Sequence, residues 1–77
     1  MTQVITEVLD HLDICYEKVS DELLIIGCFD TILAQTDDAN VWVATTNNGK
    51  YGCFFHPLDP GDIEAAVLNV TEEELHG

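Results

Sequence analysis

The cysteines and histidines are the side chains of this sequence that could bind a metal ion or form a nucleophile and base pair. Cys53 and His56 have the two-residue gap of a zinc half-site, but they lie in a β-prone segment, where positions i and i+3 point to opposite faces. Cys28 could use His56 as a base, yet each cysteine lies in an apolar segment, where a thiol is usually a small core residue. The sequence therefore predicts neither a metal site nor thiol chemistry.

Motifs for other cofactors and substrates are incomplete or missing. Residues 37–40, DDAN, have the acidic texture of a calcium loop but lack its alternating ligands, mid-loop glycine and distant glutamate. No glycine-rich phosphate-binding motif occurs. The fifteen carboxylates offer pairs for glycosidase chemistry, but 77 residues leave little room for a substrate cleft between two of them. We predict a non-catalytic protein without a cofactor.

Charge is the strongest signal in the sequence. Fifteen acidic residues stand against two lysines, Lys18 and Lys50, with no arginine, and the formal net charge is −13. The hydrophobic content of 47% still allows folding, because the chain can bury enough apolar surface to offset its conformational entropy. Binding to nucleic acid or to an anionic membrane through a basic patch is excluded, since two lysines cannot release the counterions that drive it. The expected partner is cationic: a basic protein surface, a metal ion or a solvent rich in salt.

The first residues lack the features of a cleavable signal, and no stretch approaches the roughly 20 apolar residues of a membrane span. The three widely spaced cysteines favour a reducing compartment, so we expect a cytoplasmic protein. A domain of this size removes only about 60% of its chain surface from water on folding, so its stability is expected to be modest. A homodimer or an obligate complex is therefore a further alternative.

Hydrophobic spacing predicts the secondary structure of the first half. Apolar residues at i, i+1, i+4, i+5 and i+8 from Val4 predict a helix over residues 2–13. Apolar and β-favouring residues on both sides of Ser20 to Glu22 predict a hairpin, whose second arm, residues 23–29, is expected to be a central strand. Residues 30–39 are predicted to be a loop with at most one helical turn, because aspartates and threonines surround their apolar residues.

In the second half, residues 40–46 and 50–55 predict a hairpin across Asn48-Gly49, a pair typical of tight primed turns. Asp59 followed by Pro60 predicts the start of a helix, and residues 71–77 are left open between a short terminal helix and a frayed acidic tail. The expected architecture is a single α+β domain over residues 1–77. It has the order α-β-β-β-β-α, a four-stranded antiparallel sheet with N- and C-terminal helices packed on one face.

Carboxylates follow these predicted elements in rows. Acids at i and i+3 of a helix, or at i and i+2 of a strand, stand about 5–7 Å apart, so rows of them can imitate part of a phosphate track. An acidic surface that only serves solubility is the competing interpretation, and the absence of arginine makes the two about equally favoured. The expected partner-binding residues are Glu7, Asp10, Asp13, Glu17, Asp21, Glu22, Asp30, Asp37, Asp38 and the aromatic Tyr16.

Phe29, Trp42 and Tyr51 are further aromatic candidates for an interface, although Phe29 and Trp42 are expected in the core. Lys50 follows a predicted turn at a sheet end, where a cation discourages pairing with other strand edges. We expect it to lie away from the partner-binding surface.

Residues 21–25, DELLI, have the pattern of a strand, and residues 36–43, TDDANVWV, have that of an acidic loop that leads into a strand. With the size and acidity of the chain, they resemble the small acidic phage-encoded inhibitors that mimic nucleic acid, among them uracil-DNA glycosylase inhibitor, anti-restriction and anti-CRISPR proteins. The resemblance implies an inhibitor, in the cytoplasm of a bacterial host, that binds the basic nucleic-acid-binding surface of a defence or DNA-processing protein, with a CRISPR effector favoured.

Residues 5–17 and residues 54–58, FFHPL, also resemble the start of acidic, secretion-chaperone-like bacterial domains. That resemblance implies a dimeric module that binds another protein. Adaptation to high salt would explain the acidity without mimicry, and both alternatives stay open at this point.

Overall fold

The computed structural model describes residues 2–27 and 30–76, which form an antiparallel five-stranded sheet with two helices packed on one face. The strands follow one another in space in their sequence order. The elements are α1 (Gln3–His11), β1 (Tyr16–Ser20), β2 (Leu23–Ile26), β3 (Thr31–Gln35), β4 (Trp42–Thr45), β5 (Gly52–Phe55) and α2 (Pro60–His76). The predicted α+β fold with an antiparallel sheet and terminal helices is confirmed, and the number of strands is corrected from four to five.

The additional strand, β3, lies in the segment that was predicted to be a loop. It pairs with β2 on one side and β4 on the other, and its side chains alternate: Leu33 is buried beneath the helices while Ile32 points to the opposite face. The turn-forming residues flank the strand and do not interrupt it, since Asp30 has a left-handed backbone (φ 54°) and Thr36 begins the next turn. The loop prediction was wrong because a five-residue strand stands between two strong turn signals.

The hydrophobic core lies between the helices and the sheet. Trp42 and Phe55 lie opposite each other on β4 and β5, with ring centroids 6.3 Å apart and planes tilted by 41°. The expectation that Trp42 is a core residue is confirmed, whereas Phe29 and Cys28 lie outside the described residues. The fully covered core side chains come from both helices and four strands: Ile5, Leu9, Leu24, Ile26, Leu33, Trp42, Ala44, Phe55, Ile63, Val67 and Val70.

The helix α1 ends in a Schellman motif at Asp13, one residue beyond its C-cap. Asp13 has a φ of 59°, and the amide N–H groups of Asp13 and Ile14 donate to the carbonyl oxygens of Asp10 and Leu9, at 3.1 and 2.9 Å. Glycine is preferred at this position, because a Cβ in the left-handed conformation costs roughly 1–2 kcal/mol. The carboxylate of Asp13 also stands at the negative end of the helix dipole.

We predict that Asp13→Gly stabilises the protein by about 1 kcal/mol, because it relieves the left-handed strain and removes an unfavourable charge, while the added freedom of the unfolded chain offsets part of the gain. The midpoint of urea unfolding at an unchanged slope measures this gain. Asp13→Ala is the matched control: it removes the charge but keeps a Cβ, and it should gain less. A lower midpoint for the glycine variant would contradict the prediction.

The helix α2 begins as the sequence predicted. Asp59 is its N-cap, and the Oδ1 atom of Asp59 accepts hydrogen bonds from the amides of Gly61 and Asp62, at 3.0 and 3.2 Å. Residues 71–76 continue this helix and do not start a separate one. Near its end, Glu74 accepts a hydrogen bond from the amide of Asn47 in the β4–β5 connection, which ties the helix to the sheet.

The predicted β4–β5 hairpin is present, but its turn differs from the predicted primed turn. In the predicted pair Asn48-Gly49, only Gly49 has a positive φ, at 73°. The amide of Gly49 donates to the carbonyl of Thr46 at 2.9 Å, and the Oδ1 atom of Asn48 accepts from the Thr46 hydroxyl and the Lys50 amide, at 2.7 and 2.9 Å. Asn48 therefore stabilises the turn through its side chain, as Asn residues often do in turns.

Candidate partner-binding surface

The predicted partner-binding acids do not share one surface. Four of them meet at one end of the sheet, because the antiparallel order places the β1–β2 turn and the β3–β4 connection side by side. We call this group, Asp21, Glu22, Asp37 and Asp38, the acidic end.

The other predicted residues lie elsewhere. Glu7 and Asp10 are exposed on α1, in the helical layer, and Asp13 and Asp30 lie at the sheet end opposite the acidic end. Glu17 is exposed on β1 and pairs with Ile25, which places it on the sheet face away from the helices. Tyr16 is half-buried against the core on the helix side. The structure therefore forms one compact acidic group and separates the remaining acids from it.

Local hydrogen bonds hold the backbone of the acidic end in place. The Asp38 carboxylate accepts from the amide of Asn40 at 2.9 Å, and the Asp38 amide donates to the Thr36 hydroxyl at 3.2 Å. The amide of Gln35 donates to the carbonyl of Glu22 at 2.9 Å, which links the two turns. All four residues are exposed, so their carboxylates are solvated while the backbone that carries them is held by hydrogen bonds.

The two lysines do little to neutralise this end. Lys18 lies 3.1 Å from Asp21, but the side chains are 47% and 81% exposed, so the pair contributes at most about 1 kcal/mol. Lys50 lies in the β4–β5 connection, at the opposite end of the sheet. The field around Glu22, Asp37 and Asp38 is therefore negative.

A second charged group joins β5 to α2. The amide of His56 donates to the Oδ2 atom of Asp62 at 2.6 Å, and this bond holds the pKa of the Asp62 carboxyl below its usual value of 3.8. Partial burial opposes the shift, and the ring of His56, with Nδ1 3.2 Å away, adds to it. Asp62 thus anchors the segment that leads into α2.

Because the pKa of Asp62 is lowered by folding, its stabilising effect is complete above 3.8 and is lost as the pH falls through the folded value. We predict that Asp62→Asn costs about 1 kcal/mol at neutral pH, a figure discounted because the side chain is 36% exposed. The difference from the unchanged protein should shrink below pH 3.8, as urea titrations at several pH values will measure. Glu64→Gln, which removes an exposed carboxylate nearby, is the control. Equal stability of the protein and Asp62→Asn at neutral pH would contradict the prediction.

The sheet face away from the helices is apolar, a feature that the sequence reading missed. Its side chains alternate with the buried ones, and no described element covers them. Phe54 is 69% exposed there, opposite Val43 on β4. The alternation in residues 52–55, GCFF, could have revealed that Phe54 and Phe55 point to opposite sides. We call this surface the open face; its apolar residues are Leu23, Ile25, Ile32, Ala34, Val43 and Phe54.

The described residues contain no cluster of metal-binding side chains. No group of three or more histidine, cysteine or acidic side chains in residues 2–27 and 30–76 could hold a metal ion. Cys53 is half-buried against the core, while His56 is exposed beyond the strand and contacts Asp62, so the two do not form a zinc half-site. A groove of about 250 Å³ between the helices, lined partly by Glu7, His11 and Glu64, has no such cluster either.

Comparison with known proteins found no family model, no curated protein and no solved structure that matches this chain. None of the described helices has the length and apolar character needed to cross a membrane. Two surfaces of the described residues stand out, the acidic end and the open face.

Proposed function

We propose that the protein is a non-catalytic acidic inhibitor that occupies the basic nucleic-acid-binding surface of another protein. The observation that carries the proposal is the acidic end, where four exposed carboxylates stand on hydrogen-bonded turns with one weakly paired lysine beside them. A CRISPR effector or a DNA-processing enzyme of a bacterial host is the favoured target. Its lysines and arginines would pair with these carboxylates and no longer grip phosphates.

Electrostatics alone would not make such a complex tight. Exposed ion pairs contribute roughly 0–1 kcal/mol each, so four carboxylates supply only a few kcal/mol. Their main effect is to attract a cationic partner at long range and to orient it. Affinity beyond this level requires apolar contacts as well, and the open face begins directly beside the acidic end, at Leu23.

The test combines competition with salt dependence. The protein is added to purified CRISPR effectors and DNA-repair enzymes bound to labelled DNA, and its direct binding to each is then measured between about 0.05 and 0.5 M NaCl. We expect release of DNA from at least one target and a steep loss of direct binding as salt rises. Binding that is equally strong across this range would contradict the electrostatic mechanism.

A pair of charge reversals locates the contact. Asp37→Lys should weaken inhibition about tenfold, because it replaces an attraction with a repulsion and leaves the hydrogen bonds of Asp38 intact. Glu72→Lys changes the net charge by the same amount on the exposed side of α2 and should have little effect. Equal effects of the two variants would indicate that only the total charge matters.

The open face favours a second candidate, an acidic chaperone-like module that holds a segment of another protein. Such a module would not compete with DNA. Persistent DNA binding by every target, together with capture of a polypeptide segment by the open face, would favour this candidate over the inhibitor.

A further inference from the structure

The open face resembles the inner face of a packed sheet, but no described element packs against it. Helices cover one side of the sheet, and the other side carries six apolar side chains on four adjacent strands. Antiparallel sheets with one solvated face usually alternate apolar and polar residues, whereas sheets that are apolar on both faces are normally covered on both. An apolar partner on the open face would complete this arrangement.

The size of the open face fits a helix better than a second copy of the chain. Five strands spaced about 4.8 Å apart, each four or five residues long, give a face of about 19 by 15 Å, or roughly 300 Å² in projection. Stable dimers bury about 800 Å² of accessible surface on each partner. A face this small would therefore supply only part of a dimer interface. A helix is about 10–12 Å wide, so one helix laid diagonally would contact the face over about 16 residues.

Charge also argues against a second copy. Carboxylates border the open face on three sides: the acidic end, Glu17 at the β1 edge and Asp30 at the opposite end. Two copies placed face to face would bring these acids together, with a net charge of −13 on each. A cationic occupant would instead meet carboxylates on these three sides.

We propose that the open face docks a cationic amphipathic helix of the partner protein. Its apolar stripe packs on Ile32, Val43 and Phe54, and its lysines and arginines reach the acidic end and Glu17. The inference rests on the proposed function for the charge of the partner, and it adds the contact face and the shape of the bound segment.

The experiment uses three labelled peptides of about 16 residues. The first has leucines at i, i+3, i+4 and i+7 with lysines elsewhere, the second is a scrambled version of the same composition, and the third is oligolysine. Fluorescence anisotropy measures their binding to the whole protein at about 0.15 M NaCl and at higher salt. We expect the amphipathic peptide to bind at least tenfold more tightly than either of the others.

Matched variants identify the face that binds. Phe54→Ser should weaken binding of the amphipathic peptide about tenfold, the effect expected for truncation of a central aromatic contact. Leu75→Ser is the control, because Leu75 is 71% exposed on α2 and Phe54 is 69% exposed on β5. Circular dichroism confirms that each variant is folded.

The outcomes separate the inference from the proposed function. Equal binding of the amphipathic and scrambled peptides, or equal effects of Phe54→Ser and Leu75→Ser, would overturn the docking face, while salt-sensitive binding of oligolysine would leave the acidic mechanism intact. Binding through Phe54 that is insensitive to salt and to Asp37→Lys would instead overturn the requirement for a cationic partner and the electrostatic mechanism with it. A dimer in solution that Phe54→Ser converts to a monomer would show that a second copy covers the face.

Discussion

Replacing Leu33 with lysine should unfold the protein, whereas lysine at the neighbouring Ile32 should leave it folded. Leu33 is fully buried beneath the helices, so the substitution removes a core side chain worth about 1.5–3 kcal/mol and buries a charge that costs several kcal/mol more. Ile32 is half-buried on the open face, where the stem of a lysine can lie along the sheet and its ammonium group can reach solvent. We expect the second change to cost about 1 kcal/mol.

The free-energy penalty at Leu33 approaches the whole free energy of unfolding of a domain, which is about 5–15 kcal/mol and lies toward the low end for a chain this small. Far-UV circular dichroism and urea unfolding of the two variants measure the contrast. The experiment also tests the assignment of β3, because two adjacent positions of an exposed loop would tolerate lysine equally. Unfolding by both variants would contradict the description of Ile32 as a residue of an uncovered face.

The thermal stability of the protein should rise steeply with salt. The molecule measures 29 × 26 × 23 Å, and the Debye length falls from about 30 Å at 0.01 M salt to about 3 Å at 1 M. At low salt every carboxylate therefore repels nearly every other one, and at high salt only near neighbours interact. Relief of about 2 kcal/mol of repulsion would raise the melting temperature by roughly 10 °C.

Differential scanning calorimetry in NaCl measures this rise, and sucrose serves as an uncharged control for general effects of cosolutes. A variant that carries Glu72→Lys and Glu73→Lys should show a shallower dependence, because it begins with less repulsion. A melting temperature that does not change with NaCl would contradict the prediction. A chain that folds only in molar salt would favour the alternative of adaptation to high salt over mimicry.

Elements with local signals were predictable from the sequence. The apolar spacing that begins at Val4 predicted α1, and Asp59 with Pro60 predicted the start of α2. These signals work because a helix face, a cap or a hairpin turn depends on residues only a few positions apart. The hairpin at Gly49 was found for the same reason, although the role of Asn48 in it was not.

Features that depend on distant pairing were not predictable in this way. Strand β3 is stabilised by hydrogen bonds on both sides, to β2 and β4, and these partners come from other parts of the chain. Its own five residues, between Asp30 and Thr36, carry too weak an alternation to outweigh the turn residues around them. A prediction that omits β3 also gives the wrong strand order, and it therefore cannot show which turns are neighbours.

The sequence by itself determined the charge and most of the helices and hairpins, because composition and local spacing do not depend on how the chain packs. The tertiary structure decided which acids lie together and which apolar residues stay uncovered. Antiparallel pairing of five strands brought Asp21, Glu22, Asp37 and Asp38 to one end. Packing of both helices on the same face of the sheet left Phe54 and its neighbours on the other face without a covering element among the described residues.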